Sequence, residues 1–223
     1  MRCVPAILMS LLALPLIACG GGGESSTLVQ SPAPTDPLAP NGWPVSNAPT
    51  TFTPTGLMVG DVMPDLQGTD QFGNADVTLT QFYGSMIVLA FDTGWGPFSD
   101  MAAAEVNTFV PPLEDESDEY RVTWVSGYFE DATFALADPS DGAAWATKHG
   151  LTSPVIVGQA IQDRWTAFGT RSVPTYVILD PLFEIRTILT GWSGATAMQT
   201  SIRDAWTAFR NENTAWVSPF VNN

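Results

Sequence analysis

The chain has 223 residues, 45% hydrophobic and 14% charged, enough for one domain with a sizeable core. Its formal net charge is −15, with 23 acidic against 8 basic residues, which leaves too few cations to neutralise phosphates and argues against nucleic-acid binding. One His and two Cys make no zinc or copper cluster, no Gly-rich phosphate loop is present, and neither metal nor cofactor is expected.

In chain order, Arg2 is followed by an apolar run, Val4 to Ile17, too short to span a bilayer comfortably. It ends in Leu16-Ile17-Ala18-Cys19-Gly20, which resembles the lipobox of bacterial lipoproteins. That resemblance implies a signal peptide over residues 1–18, cleavage before Cys19, and a lipid anchor on the Cys19 thiol. Cys3 leaves with the leader, so the mature chain is expected to hold no free thiol and no internal disulfide. Residues 19–55, with glycines first and then prolines from Pro32 to Pro54, read as a disordered tether, because such composition cannot bury enough surface to offset chain entropy. Trp43 stands alone in it, without an assigned role.

A folded domain is expected over residues 56–210, with a polar tail at 211–223. A short hairpin is read near Asp65–Gln67 and Val77–Leu79, with Thr80 capping a helical turn through Tyr83. Met86 to Phe91 is a continuous apolar run of strand length. It passes through a Gly/Pro-punctuated turn into a helix, Phe98 to Val110, that Pro111-Pro112 should stop. Glu114 to Glu119 is acidic but lacks the spacing and glycine of an EF-hand loop, so it reads as a solvated loop. Arg121 to Phe129 reads as a buried strand, Asp141 to His149 as a helix stopped by Gly150, and Val155 to Val157 as a short strand. Ile161 to Phe168 is a helical turn or two. Arg171 to Pro181 and Glu184 to Leu189 form a terminal hairpin. Met198, Ile202, Ala205, Trp206 and Phe209 lie on one face of a last helix, Ala195 to Phe209.

Alternating strands and helices with a terminal hairpin predict an α/β sandwich. Four segments carry a closer resemblance. Val59-Gly60-Asp61-Val62-Met63-Pro64-Asp65-Leu66 resembles an opening G-x-x-x-P-D-F. Phe72 to Phe91 resembles G-x-x-v-x-L-x-x-f-x-G-K-x-v-v-l-x-F. Ser172 to Asp180 resembles G-V-P-T-x-f-x-I-D. Gly191 precedes the last helix. In this order they are similar to the redoxin branch of the thioredoxin-like superfamily, which holds thiol-disulfide oxidoreductases and peroxiredoxin relatives. The resemblance covers roughly Gly56 to Phe209. It implies a three-layer sandwich, a central mixed sheet with helices on both faces and an N-terminal β-hairpin, and a cis bond before Pro174.

The turn departs from that family. Its Trp-Cys-x-x-Cys becomes Trp95-Gly96-Pro97-Phe98-Ser99. Thiol exchange needs a thiolate, and Ser99 has no visible activating base. Asp92 is a lone carboxylate with no partner in sequence that would tune it. Trp95, Phe98, Trp192 and Trp206 read first as core or groove packing. The expectation is therefore a degenerate, redox-inactive domain that binds a protein or peptide partner through Trp95, Gly96, Pro97, Phe98, Val173 and Pro174, with strand addition at Val173. The alternative is an envelope oxidoreductase or peroxiredoxin-like enzyme working with a partner-supplied thiol; a third reading is a purely structural envelope protein. The expected address is the bacterial cell envelope, and Gly20, where inner-membrane retention favours an acidic residue, points to the outer membrane.

Overall fold

The computed structural model describes residues 38–46, 48–49, 52–114 and 121–219. The leader, Cys19 and almost all of the acidic run lie outside the described residues.

The strands are β1 (Gln67–Asp70), β2 (Val77–Thr78), β3 (Met86–Thr93), β4 (Val122–Glu130), β5 (Val155–Val157), β6 (Thr175–Leu179) and β7 (Ile185–Thr190); the helices are α1 (Pro97–Glu114), α2 (Pro139–His149), α3 (Gln159–Ala167) and α4 (Ala195–Glu212). They form one 7-stranded mixed sheet in the order β2-β1-β5-β4-β3-β6-β7. β3 runs parallel to β4, and β4 to β5, while β6 and β7 return antiparallel beside β3.

The apolar run in β3 is continuous because both of its faces are buried. Met86, Val88 and Ala90 point to a layer built from α1, α2 and α4, where they meet Ala102, Val106, Trp145 and Ile202. Ile87, Leu89 and Phe91 point to the opposite layer, built from α3 and the N-terminal segments, with Met63, Leu66, Phe82 and Ile161. This is the three-layer sandwich that the resemblance implied.

Local chemistry sets most boundaries. Asp138 caps α2, accepting from Ser140 N and Asp141 N, and Gly150 closes it at φ 63°, the left-handed region that glycine tolerates. Most boundaries differ from the sequence reading by one to three residues, and three of the differences matter here. The first strand of the hairpin lies later than read, because β1 is placed by its antiparallel pairing with β5 as well as with β2, while β2 starts at Val77 as expected. The stretch from Arg171 to Pro174 precedes β6 and is not part of it. Helix α1 runs through Pro111 and Pro112 to Glu114. Proline's fixed φ suits a helix, and Leu113, fully buried, holds that last turn against the core.

Residues 38–46, read as tether, lie on the domain. The Trp43 indole N–H donates to Asp70 Oδ2 at 2.8 Å, and its ring packs on Phe72 and Phe82, centroids 6.2 Å away in each case. At the other end, Trp216 packs edge-on against Trp206 and Phe209.

Candidate functional site

β3 delivers the chain into the turn, and the register with β4 slips there: Asp92 faces Tyr128, but Thr93 faces Glu130. A bulge re-aims side chains at the end of a strand. Gly94 follows in a close approach. A Cβ at this position would lie 2.3 Å from the Tyr128 hydroxyl and 2.7 Å from Ala132 N, so only glycine fits. Trp95 comes out to the surface at 37% exposure. Gly96 immediately precedes α1; its carbonyl accepts the Asp100 N–H at 3.1 Å, and Pro97 opens the helix where a missing N–H costs nothing.

Gly96 is buried and outside the left-handed region. A Cβ there would meet Thr93 Oγ1 at 2.9 Å, Ser99 Oγ at 3.3 Å and Val173 Cγ2 at 3.4 Å. Positions 96 and 99 thus face each other, as a helix turn of three residues allows. Val173 closes the third side, and its bond to Pro174 is cis. The structure brings Trp95, Gly96, Ser99, Val173 and Pro174 to one end of the sheet. Phe98 and Pro97 stand outward on the first turn of α1, Phe98 at 51% exposure. No hydrogen bond joins the Val173 backbone to another described residue.

Behind the turn is a buried polar group that the sequence did not resolve. Asp92 belongs to β3, which runs two residues beyond the Met86–Phe91 read from sequence; it continues the Met86–Val88–Ala90 alternation and is fully inside. Neither of its oxygens makes a well-formed hydrogen bond, and the Thr93 and Tyr176 hydroxyls are likewise buried without partners among the described residues. Burial pushes the Asp92 carboxyl up to about 7, with the nearby Ser99 and Ser126 hydroxyls pulling weakly the other way. Burial and then the Asp92 charge also raise the Tyr176 phenol. Burial first, then Asp141, Asp131 and Asp92, push Tyr128 up to about 12. Asp92 has neighbours after all, but they are hydroxyls from other elements and no cation.

Sequence reasoning also missed the loop after β4. Asp131 accepts from Thr133 N, Ala135 N and the Thr133 hydroxyl, folding the loop tightly. Phe134 sits at its tip with φ 66°, 67% exposed, its ring stacked on Trp95 at 5.2 Å. The Trp95 indole N–H donates to Glu130 Oε2 at 2.8 Å, and Gln162 holds the other carboxylate oxygen. A Gly at 94 and an Asx-type turn at Asp131 were the available signals, but neither names the aromatic that they present.

No family model and no curated protein matches the sequence. Solved structures match well in shape. A protein described as a protein disulfide isomerase from Bacteroides thetaiotaomicron is 14% identical with a TM-score of 0.56, covering 70% of this chain and 95% of its own. A thiol:disulfide interchange protein from Chlorobium tepidum is 17% identical with a TM-score of 0.53, covering 67% and 99%. A secreted thiol-disulfide isomerase from Corynebacterium glutamicum is 14% identical with a TM-score of 0.53, covering 64% and 83%. The fold is thioredoxin-like. At these identities the likeness extends to the fold alone, which one superfamily uses for many tasks. No helix of the described residues is long and apolar enough to cross a membrane.

Proposed function

We propose that this chain is a membrane-anchored lipoprotein of the bacterial cell envelope whose thioredoxin-like domain binds an extended peptide or protein partner without redox chemistry. One observation carries the reading: the turn has the enclosure of a dithiol site, with position 96 against Ser99 and Val173, yet supplies no sulfur. The unpaired backbone at Val173 offers an edge for strand addition, and Trp95, Pro97 and Phe98 offer apolar surface beside it. Cys19 is the anchor, by its place at the end of the apolar leader. The fold's thiol-disulfide neighbours favour a second reading, an oxidoreductase that borrows its partner's thiol.

The test is insulin reduction in the presence of dithiothreitol. The wild-type chain is expected to add nothing to the background rate, whereas the Gly96→Cys/Ser99→Cys double variant should form an internal disulfide and accelerate reduction. A thiol at 96 gains from the helix N–H groups of α1, which favour the thiolate. Activity in the wild-type chain would overturn the non-redox reading in favour of the second. Metabolic labelling with a fatty acid tests the anchor: label that persists in Cys19→Ser would remove it.

A further inference from the structure

The surface at Trp95 and Phe134 has a charge that selects its occupant. The two rings form an exposed stacked pair, 37% and 67% exposed, beside the Val173 edge. Two carboxylates belong to the segments that hold the pair, and two more follow close behind along the chain. Glu130 holds the Trp95 indole. Asp131 folds the loop that carries Phe134 and feels the charge of Asp138. Asp141 bonds back to Asp138 N and, with Asp131, acts on Tyr128, whose hydroxyl lies under Gly94. None of the four forms an ion pair with a cation among the described residues, whereas Asp100, Asp180, Glu184 and Glu212 do.

Resting on the peptide-binding reading above, we propose that the Trp95–Phe134 pair is a seat for an arginine or lysine side chain carried by the extended partner. The aromatic faces supply the attraction of a ring quadrupole for a cation, and the carboxylate rim supplies unneutralised negative potential. Charge also decides against the other occupants. A second copy of this chain carries the same −15, and an anionic lipid surface is repelled by the same field. A purely apolar segment would bury the faces but leave the rim without a counter-charge.

The experiment uses the full-length chain and oriented peptide pools, degenerate on both sides of one fixed central residue: arginine, its neutral isostere citrulline, or glutamate. Fluorescence polarisation is read at low and at high salt. The arginine pool should bind roughly five-fold tighter than the citrulline pool at low salt, and the advantage should shrink as salt rises. Phe134→Ala and Glu130→Gln should each reduce that advantage. Phe134 is exposed, and glutamine at 130 retains an acceptor for the Trp95 indole, so both variants are expected to fold. Equal binding of the arginine and citrulline pools overturns the cationic seat while leaving the groove reading standing. An arginine advantage that survives both substitutions undiminished also overturns the seat, since it then lies elsewhere. If no pool binds, both readings fall together.

Discussion

Asp92 is the residue with the most unusual surroundings. A buried carboxyl among hydroxyls, with no cation and no aligned donor, costs free energy whenever it ionises. Its pKa lies at about 7 in the folded chain against an ordinary 3.8. A group whose folded pKa is raised contributes stability that is complete below about pH 4 and is lost as pH rises through about 7. The domain is therefore expected to lose stability across that window through this group, by an amount on the order of 2–4 kcal/mol. Asp92→Asn keeps the shape, cannot ionise, and brings amide donors to the hydroxyls of Ser99, Ser126 and Tyr176. It should stabilise the protein at pH 8, do little at pH 4, and flatten the slope between. Urea unfolding at pH 4, 6 and 8 measures this; an unchanged slope in the variant would move the pH dependence to another group. Sequence could place Asp92 at the end of a strand. It could not show the environment, because Ser99, Ser126 and Tyr176 converge on it from α1, β4 and β6.

At the scale of elements, the β3–turn–α1 unit explains why some features were legible and others not. Met86 to Phe91 announced itself, since a strand buried on both faces must be apolar throughout, and the helix start was read at Phe98, one residue after the Pro97 that opens it. The end of α1 was misread because a proline pair is a local signal, while the burial of Leu113 that holds the last turn is tertiary. Phe134 was invisible for a related reason: a loop has no period, and its ring gains meaning only from the Trp95 ring across space. Gly94 ties the two halves together. Its missing Cβ lets the turn press on β4 at Tyr128 and Ala132. Gly94→Ala should therefore displace the turn, cost about 2–3 kcal/mol as overpacking, and separate Trp95 from Phe134. Thermal unfolding reads the first effect and Trp95 fluorescence the second. Tyr128→Phe in the same chain removes the 2.3 Å contact but not the one to the Ala132 backbone, so the rescue should be partial. Full rescue would show that the hydroxyl alone demanded glycine.

Across the whole molecule, composition separated an acidic, apolar-rich domain from a Pro/Gly segment before it, and the alternation of strand and helix signals gave the domain's fold class. The boundary between the two is where composition misleads. Prolines lower the chain's tendency to fold on its own, but one indole can still dock. Around Trp43 the docking is reinforced by amides: Asn41 Nδ2 donates to Gln81 Oε1 at 3.1 Å, Gln81 Nε2 to the Pro44 carbonyl at 3.0 Å, and Asn74 Nδ2 to the Asn41 carbonyl at 3.2 Å. These contacts lie over the β1–β2 hairpin at the sheet's edge, a place where exposed backbone otherwise invites unwanted pairing. Trp43→Ala removes half-buried aromatic surface and should cost about 2 kcal/mol, lowering Tm by about 4–8 °C. It should also speed amide exchange from Gln71 to Gln81 and expose residues 38–46 to proteolysis. Trp43→Phe separates packing from hydrogen bonding. Asp70 keeps its bonds from Phe72 N, Asn74 N and Asn74 Nδ2, so losing the indole donor alone should cost about 1 kcal/mol or less. If Phe costs as much as Ala, the hydrogen bond to Asp70 and not the ring holds the segment down; if neither changes stability or exchange, residues 38–46 do not support the hairpin edge at all.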